Sequence, residues 1–371
     1  MKFVFASDSF KGTLSSGCIA QLLEEAALRA FPSADCVSLL IADGGEGTLD
    51  AIAAVSEGEL VCVDAHDGLM RPRPSVIFVR GDEACVEAAS SCGLALLAEN
   101  ERNPLLTTSY GVGECIRHAL DRGCDRIAVG LGGSCTNDGG MGCLRALGIR
   151  FLDARGRELE GRGADLAEVA AIDESGLHPR VHTTDFSIMS DVNNPLLGPN
   201  GATYVFGPQK GATDEMLRQL EFGMDRYAQA ISKTHPEIDF DTAGFGAAGG
   251  LGMALSVFLG ARMESGIEAL LRWTSFDEII DGADLVITGE GRLDGQSLQG
   301  KAIGGVAAHA HEKGVPVALV CGTTTLDDDR LNSLGIAHVI ETAEGQDLAY
   351  AMAHAEENYA RAARHLFERL A

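Results

Sequence analysis

Residues 284–321, DLVITGEGRLDGQSLQGKAIGGVAAHAHEKGVPVALVC, read as strand, glycine-rich loop, helix and strand. Asp284-Leu-Val-Ile-Thr288 and Pro316-Val-Ala-Leu-Val-Cys321 are short apolar runs, and a helical stretch around Ile303–His311 separates them. Strand, crossover helix and strand form the unit of a parallel sheet covered on both faces. Downstream, Ala337-His-Val-Ile340 and a helix over Ala349–Leu370 continue the alternation. At the other end of the chain, Lys2–Ala6 leads into a helix whose Ile19, Leu22, Leu23 and Ala26 share one face. A strand over Cys36–Ile41 then runs through Asp43-Gly-Gly-Glu-Gly into a helix carrying Leu49, Ile52 and Ala53.

The middle of the chain has a different pattern. Leu60–Asp64, Ser75–Arg80 and Ala84–Ala88 are short strands separated by His66-Asp-Gly68 and Gly81-Asp82, which predicts an antiparallel meander. A helix with Val112, Cys115, Ile116, Ala119 and Leu120 on one face precedes a strand at Arg126–Leu131, and Asp153-Ala-Arg-Gly156 marks a second hairpin. The expectation is an α/β protein of two domains. One is a parallel three-layer domain built from both chain ends, residues 1–64 plus 283–371. The other is a mixed α/β domain inserted at 65–282.

With 371 residues, 46% hydrophobic and 22% charged, the chain has the makeup of a globular protein rather than a disordered one. Its 54 acidic and 29 basic residues give a net charge of −25, which excludes general binding to nucleic-acid backbone or to an acidic membrane surface. An anionic substrate therefore needs locally concentrated cation, from Lys, Arg or a divalent metal. No apolar run approaches the ~20 residues of a membrane span, and the N-terminal run is short for a signal peptide. The ten cysteines contain no C-x-x-C and read as reduced, mostly buried thiols. These features predict a cytoplasmic protein with small-molecule partners, no nucleic acid and no membrane. They leave open whether it is a homo-oligomer.

Polar, glycine-rich loops recur at the carboxyl ends of the predicted strands, where open parallel sheets bind ligands. They are Asp8-Ser-Phe-Lys-Gly12, Asp43-Gly-Gly-Glu-Gly-Thr48, Gly132–Asp138, Asp191-Val-Asn-Asn-Pro195 and Glu290–Ser297. One such loop is equally well a turn with a helix cap; five at equivalent ends point to one large polar site. Glycines let backbone N–H groups face an anion, while Lys11, Lys210, Arg292 and Lys301 supply cations beside these loops. Asp43, Glu46, Asp191, Glu290 and Asp294 can hold Mg²⁺ or take a hydroxyl proton. That mixture suits phosphoryl transfer.

Two motifs fit only in part. Gly295–Lys301 has the G-x-x-x-x-G-K spacing, but Ala302 stands where a P-loop needs Ser or Thr, so a P-loop is rejected. Gly244-Phe-Gly-Ala-Ala-Gly249 fits G-x-G-x-x-G after a poor strand. It keeps open an NAD-dependent dehydrogenase of a small hydroxy acid, or serves as a tight helix entry before Leu251–Leu259. A non-catalytic sugar-acid sensor is the other alternative. His309 and His311 point to different helix faces and do not suit a shared metal. Ser134 lies outside a G-x-S-x-G elbow.

Taken together, the loops carry a resemblance. The Asp8–Gly12, Asp43–Thr48 and Asp191–Pro195 loops, with Gly130-Leu-Gly-Gly-Ser-Cys-Thr-Asn-Asp-Gly-Gly140, Phe206-Gly-Pro-Gln-Lys-Gly-Ala212, Gly246-Ala-Ala-Gly-Gly-Leu-Gly252 and Thr288-Gly-Glu-Gly-Arg-Leu-Asp294, resemble the type I glycerate kinases of bacteria over essentially the whole chain. The resemblance implies ATP- and Mg²⁺-dependent phosphorylation of D-glycerate, usually at the 2-hydroxyl. It also implies a flavodoxin-like domain, with the active site in a cleft between two domains. Cys135 stands where Ala is more usual.

On chemical grounds, Lys11 and Arg292 neutralise substrate carboxylate and phosphate, and Asp191 takes the hydroxyl proton. Asp8 and Ser9 in the first loop are phosphate- or substrate-binding candidates, as are Ser134, Thr136, Asn137 and Asn194. Lys210, Gly249, Gly250, Gln296, Ser297 and Lys301 complete that group. Asp43, Glu290 and Asp294 are the metal candidates.

Overall fold

Apolar runs from the two chain ends pair into one sheet. In this computed structural model the structure describes residues 1–10, 12–41, 44–293, 302–327, 331 and 334–371. The chain divides into two compact units, one comprising Met1–Asp43, Asp50–Ser56 and Ile267–Ala371, the other Gly44–Leu49 and Glu57–Gly266. Both belong to the α/β class.

In the first unit, five parallel strands lie in the order Ile336–Glu341, Val317–Cys321, Leu285–Thr288, Lys2–Phe5, Asp35–Ser38. The segment around Cys36 ends as a strand at Ser38 because its sole neighbour, Lys2–Phe5, ends there; Leu39 adds one last bond to the Phe5 carbonyl. Helix Ser16–Ala30 opens with the Ser15 hydroxyl accepting the Cys18 N–H. Its Ile19, Leu23, Ala26 and Ala27 pack with Tyr359, Ala363, Leu366 and Phe367. Each fully buried leucine there is worth about 1.5–3 kcal/mol of transfer free energy. Phe367 also meets Phe3 edge-on, 5.2 Å between ring centroids. The helix expected over Ala349–Leu370 is two helices, Leu348–Ala353 and Ala355–Leu370, with His354 non-helical between them. The break divides a short segment exposing Leu348, Tyr350 and Met352 from the amphipathic helix that follows.

The second unit holds a six-stranded mixed sheet, ordered Arg262–Glu264, Asp185–Met189, Arg126–Gly130, Glu83–Glu87, Pro72–Arg80, Glu59–His66. The last three strands form an antiparallel meander and the first four run parallel. Pro72 and Pro74 are accommodated because Glu83–Glu87 pairs only with Ile77–Arg80, leaving both prolines on an open edge. At Asp153–Arg157 the Asp153 carboxylate accepts the N–H groups of Arg155 and Arg157, closing the tight turn expected there. One large core fills this unit and includes Cys92, Cys115, Cys124, Cys135 and Cys143. All ten cysteines are free thiols, seven of them buried. Among the described residues, no helix is long and apolar enough to cross a membrane.

Candidate active site

In the first unit the chain order reverses between Lys2–Phe5 and Leu285–Thr288: one continues outward to Asp35–Ser38, the other to Val317–Cys321 and Ile336–Glu341. Such a reversal opens a crevice at the strands' carboxyl ends. The loops that leave these two strands are joined there. The Asp8 N–H donates to the Gly289 carbonyl at 3.0 Å, and the Thr288 hydroxyl donates to the Ala6 carbonyl at 2.8 Å. Asp8 Oδ1 accepts the Ser9 N–H at 2.6 Å. Glu290 and Arg292 lie on the second loop, whose course is fixed where the Gly322 N–H meets the Glu290 carbonyl and Arg292–Leu293 pairs with Thr323–Thr324. Side chains at Gly289 and Gly322 would overlap the carbonyl oxygens of Val320 and Gly291, so both glycines are needed for these loops to approach. Asp8, Ser9, Glu290 and Arg292 are thus brought to one end of one sheet. Lys11, Asp43, Asp294, Gln296, Ser297 and Lys301 lie outside the described residues.

In the second unit the loop after Arg126–Gly130 is held almost entirely from inside. Lys210, on a single helical turn at Pro208–Lys210, is only 3% exposed. Its ammonium donates to the Thr136 carbonyl at 2.7 Å and to Ser134 Oγ at 3.2 Å. Burial pushes this lysine down to about 8, opposed by the negative potential of Asp138 and by any thiolate at Cys92 or Cys135. Burial also pushes the Cys135 thiol up, to about 12, and the Cys92 thiol well up. Both thiols are therefore neutral at neutral pH. Asn137 is fully buried; its amide donates to Thr203 Oγ1 at 3.2 Å, and its Oδ1 has no partner among the described residues.

Asp138, which the sequence does not single out, is the most heavily bonded member of this loop. Its Oδ2 accepts from the Ser109 N–H at 2.7 Å, the Ser109 hydroxyl at 2.8 Å and the Gly142 N–H at 3.2 Å, while Oδ1 accepts from the Gly140 N–H at 3.1 Å. Burial raises its pKa and these bonds lower it, with burial prevailing. A set made only of donors is nevertheless what a carboxylate requires. Glu87 is a second unflagged residue. Buried at the end of strand Glu83–Glu87, it accepts the Leu49 N–H at 3.2 Å and so anchors the segment that starts at Gly44. An acidic residue closing an apolar strand is the sequence signal for it.

The glycine-rich segment before Leu251 packs against the same loop. Gly249 and Gly250 have φ of +68° and +93°, and a side chain on either would overlap Thr136 or Gly139 backbone. The Gly139 N–H donates to the Gly249 carbonyl at 3.0 Å. These glycines permit close backbone packing, and no strand precedes them, so the structure gives no dinucleotide fingerprint here. Asp191 is exposed at the end of Asp185–Met189, with its Oδ1 accepting the Gly266 N–H at 3.0 Å. Asn194 donates to the Asn200 carbonyl at 2.8 Å. The Leu131 N–H, donating to the Met189 carbonyl at 3.4 Å, sets the Asp191 loop beside the Ser134–Asp138 loop.

Strand-end loops that gather hydroxyls, carboxylates and cations around parallel strands define a small-molecule enzyme of the α/β class. The chain belongs to the glycerate kinase family, whose sequence profile matches residues 3–371. It is 41% identical to a glycerate kinase of Bacillus subtilis (strain 168), over 98% of this chain and 96% of that protein. It is 41% identical to a glycerate 2-kinase of Escherichia coli (strain K12), over 100% of this chain and 98% of that protein. A crystal structure from Salmonella typhimurium LT2, described as a glycerate kinase 2, superposes with a TM-score of 0.82 at 40% identity, covering 100% of this chain and 98% of that one. The chain is accordingly a glycerate kinase, an enzyme that transfers phosphate to an alcohol group.

Proposed function

We propose that the enzyme transfers the γ-phosphoryl group of ATP to the 2-hydroxyl of D-glycerate, giving 2-phosphoglycerate and ADP. The observation that carries this reading is the Ser134–Asp138 loop, tied down by a buried cation and lying beside the exposed carboxylate of Asp191. The Escherichia coli relative, named glycerate 2-kinase, supports the choice of hydroxyl.

In the proposed step the glycerate 2-oxygen attacks the γ-phosphorus, the bond to the β–γ bridging oxygen breaks, and the hydroxyl proton passes to Asp191. The Gly266 N–H fixes one Asp191 oxygen at the end of the strand. Arg292 and Lys11 neutralise the carboxylate and the transferring phosphate. Asp8 and Ser9 bind oxygens of either substrate.

Mg²⁺ belongs to the proposal as the companion of ATP, since it commonly binds through substrate phosphates plus one or two carboxylates. Among the described residues, no group of three or more His, Cys, Asp or Glu side chains is placed to hold a metal ion. Of the metal candidates Asp43, Glu290 and Asp294, Glu290 lies among the described residues.

A coupled assay of ADP release across D-glycerate, glycolate, lactate and hydroxypyruvate tests the substrate assignment. Release confined to D-glycerate is expected, and release with glycolate or lactate at an equal rate contradicts it.

A further inference from the structure

We propose that Glu87 is a positioning residue for phosphoryl transfer, acting through Glu46. It pins the segment Gly44–Leu49 across the ends of three parallel strands and so sets the Glu46 carboxylate beside the Ser134–Asp138 loop. There Glu46 accepts a hydrogen bond from a glycerate hydroxyl. The proposal rests on the kinase reading above and deepens it.

The strands Glu83–Glu87, Arg126–Gly130 and Asp185–Met189 are adjacent and parallel, and their last residues lie in register: Glu87 is opposite Gly130, and Gly130 is opposite Met189. The segment touches all three. Glu87 Oε2 accepts the Leu49 N–H at 3.2 Å. A side chain at Gly130 would begin 2.6 Å from the Gly44 carbonyl oxygen, and one at Gly44 would begin 2.6 Å from the Met189 carbonyl oxygen. Glycine at both positions is what allows so close an approach, and Gly44 also has a φ of +83°. Just beyond the strand end, the Gly132 N–H donates to the Gly44 carbonyl at 3.0 Å.

Leu49 is the second residue of the helix Thr48–Val55, so its N–H is one of the donors a helix leaves without an internal acceptor. A carboxylate is favoured at that end of a helix, and the buried Glu87 supplies it. The Thr48 hydroxyl, also buried, donates to the Gly45 carbonyl at 2.7 Å and closes the turn between the two anchors. Glu46 sits in that turn. It is exposed, with its Cβ 4.0 Å from the point where a side chain at Gly133 would begin. Ser134 is the next residue of that loop, and Asp191 follows closely on Met189. An ionised carboxylate only accepts hydrogen bonds, so the group it meets in the substrate is a donor. Beside Asp191, the proposed proton acceptor, that donor is a hydroxyl of glycerate.

The test is steady-state kinetics of the full-length enzyme, with D-glycerate and ATP varied in turn. Glu46→Ala is an exposed change. It should lower kcat/KM for D-glycerate about 10- to 100-fold, the scale of a hydrogen bond to a charged group, with KM for ATP little changed. Glu87→Ala should cost a similar factor through misplacement. Glu87→Gln keeps an oxygen for the Leu49 N–H and should recover most of that loss. Because Glu87 acts through Glu46, the variant carrying both Glu46→Ala and Glu87→Ala should be no worse than Glu46→Ala alone. An unchanged kcat/KM in Glu46→Ala overturns the proposal even where Glu87→Ala fails to fold. Losses that multiply in the double variant overturn it too, as does a Glu87→Gln enzyme no better than Glu87→Ala, or a loss in Glu46→Ala that falls on KM for ATP.

Should wild type release no ADP with D-glycerate, the kinase reading fails by itself. Amide hydrogen exchange over residues 44–49 still decides whether Glu87 pins the segment. Faster exchange there in Glu87→Ala than in wild type is expected, and unchanged exchange overturns the pin.

Discussion

Lys210 Nζ lies 2.7 Å from the carbonyl oxygen of Thr136, with the lysine almost wholly removed from solvent. In a chain of net charge −25 this cation is an internal tether of the loop that follows Arg126–Gly130.

A pH effect on stability follows. Lys210 falls to about 8 in the folded protein, whereas an unfolded lysine titrates near ~10.4. Between those values the unfolded chain holds more protons, so the Lys210 contribution to stability rises with pH. Compared with Lys210→Met in urea titrations, wild type should gain on the variant between about pH 8 and about pH 10. A difference that is flat or shrinks across that window contradicts the burial of the ammonium.

Gly249 and Gly198 both have positive φ, but a side chain at Gly249 overlaps the Thr136 carbonyl while one at Gly198 meets open space. Gly198→Ala should cost about 1–2 kcal/mol, the backbone strain alone. Gly249→Ala should cost several kcal/mol or prevent folding, because backbone must move. Equal midpoints for the two variants in thermal melts would count against a packing role for the glycine-rich segment.

How much of this was legible in the sequence divides along physical lines. The parallel strands were readable because Leu285–Thr288 and Val317–Cys321 are fully buried and hence uniformly apolar. The meander was readable from its turns. Lys210 reads in the sequence as a phosphate- or substrate-binding cation, and its burial is not legible there because it depends on a loop more than 70 residues away. Gly249 and Gly250 raised the same ambiguity: glycine admits phosphate and neighbouring backbone equally well, and only the position of Thr136–Gly139 decides between them. Asp138 was hidden among ordinary Asx-turn residues, since its main partner, Ser109, is 29 residues away.

His309 Nδ1 lies 2.7 Å from Asp277 Oδ1, and its Nε2 lies 3.1 Å from Glu268 Oε2. Burial lowers its pKa, but the two carboxylates outweigh burial and raise it. The stabilisation is fully present below the unfolded histidine value of ~6.5 and is lost as pH rises through the folded value. Because the ring is partly exposed, His309→Gln should cost less than about 1 kcal/mol at pH 6 and almost nothing at pH 8.5. A cost that grows with pH contradicts the clamp.

Asp191→Asn should lower kcat at least about 100-fold, the usual scale of a lost general base, with KM for ATP little changed. A variant retaining near-normal kcat sinks Asp191 as the proton acceptor.

Chelation separates the proposed metal from the fold. EDTA should abolish ADP release, and added Mg²⁺ should restore it. The melting temperature of the enzyme without nucleotide should be unmoved, since the proposed Mg²⁺ arrives as the companion of ATP. Full activity in EDTA contradicts the Mg²⁺ assignment.

The central claim is tested most directly by NMR of the product formed from D-glycerate and ATP. The resonances of 2-phosphoglycerate, appearing in step with ADP, are the predicted result. Phosphate on the 3-oxygen, or ADP released without phosphorylated glycerate, would contradict it.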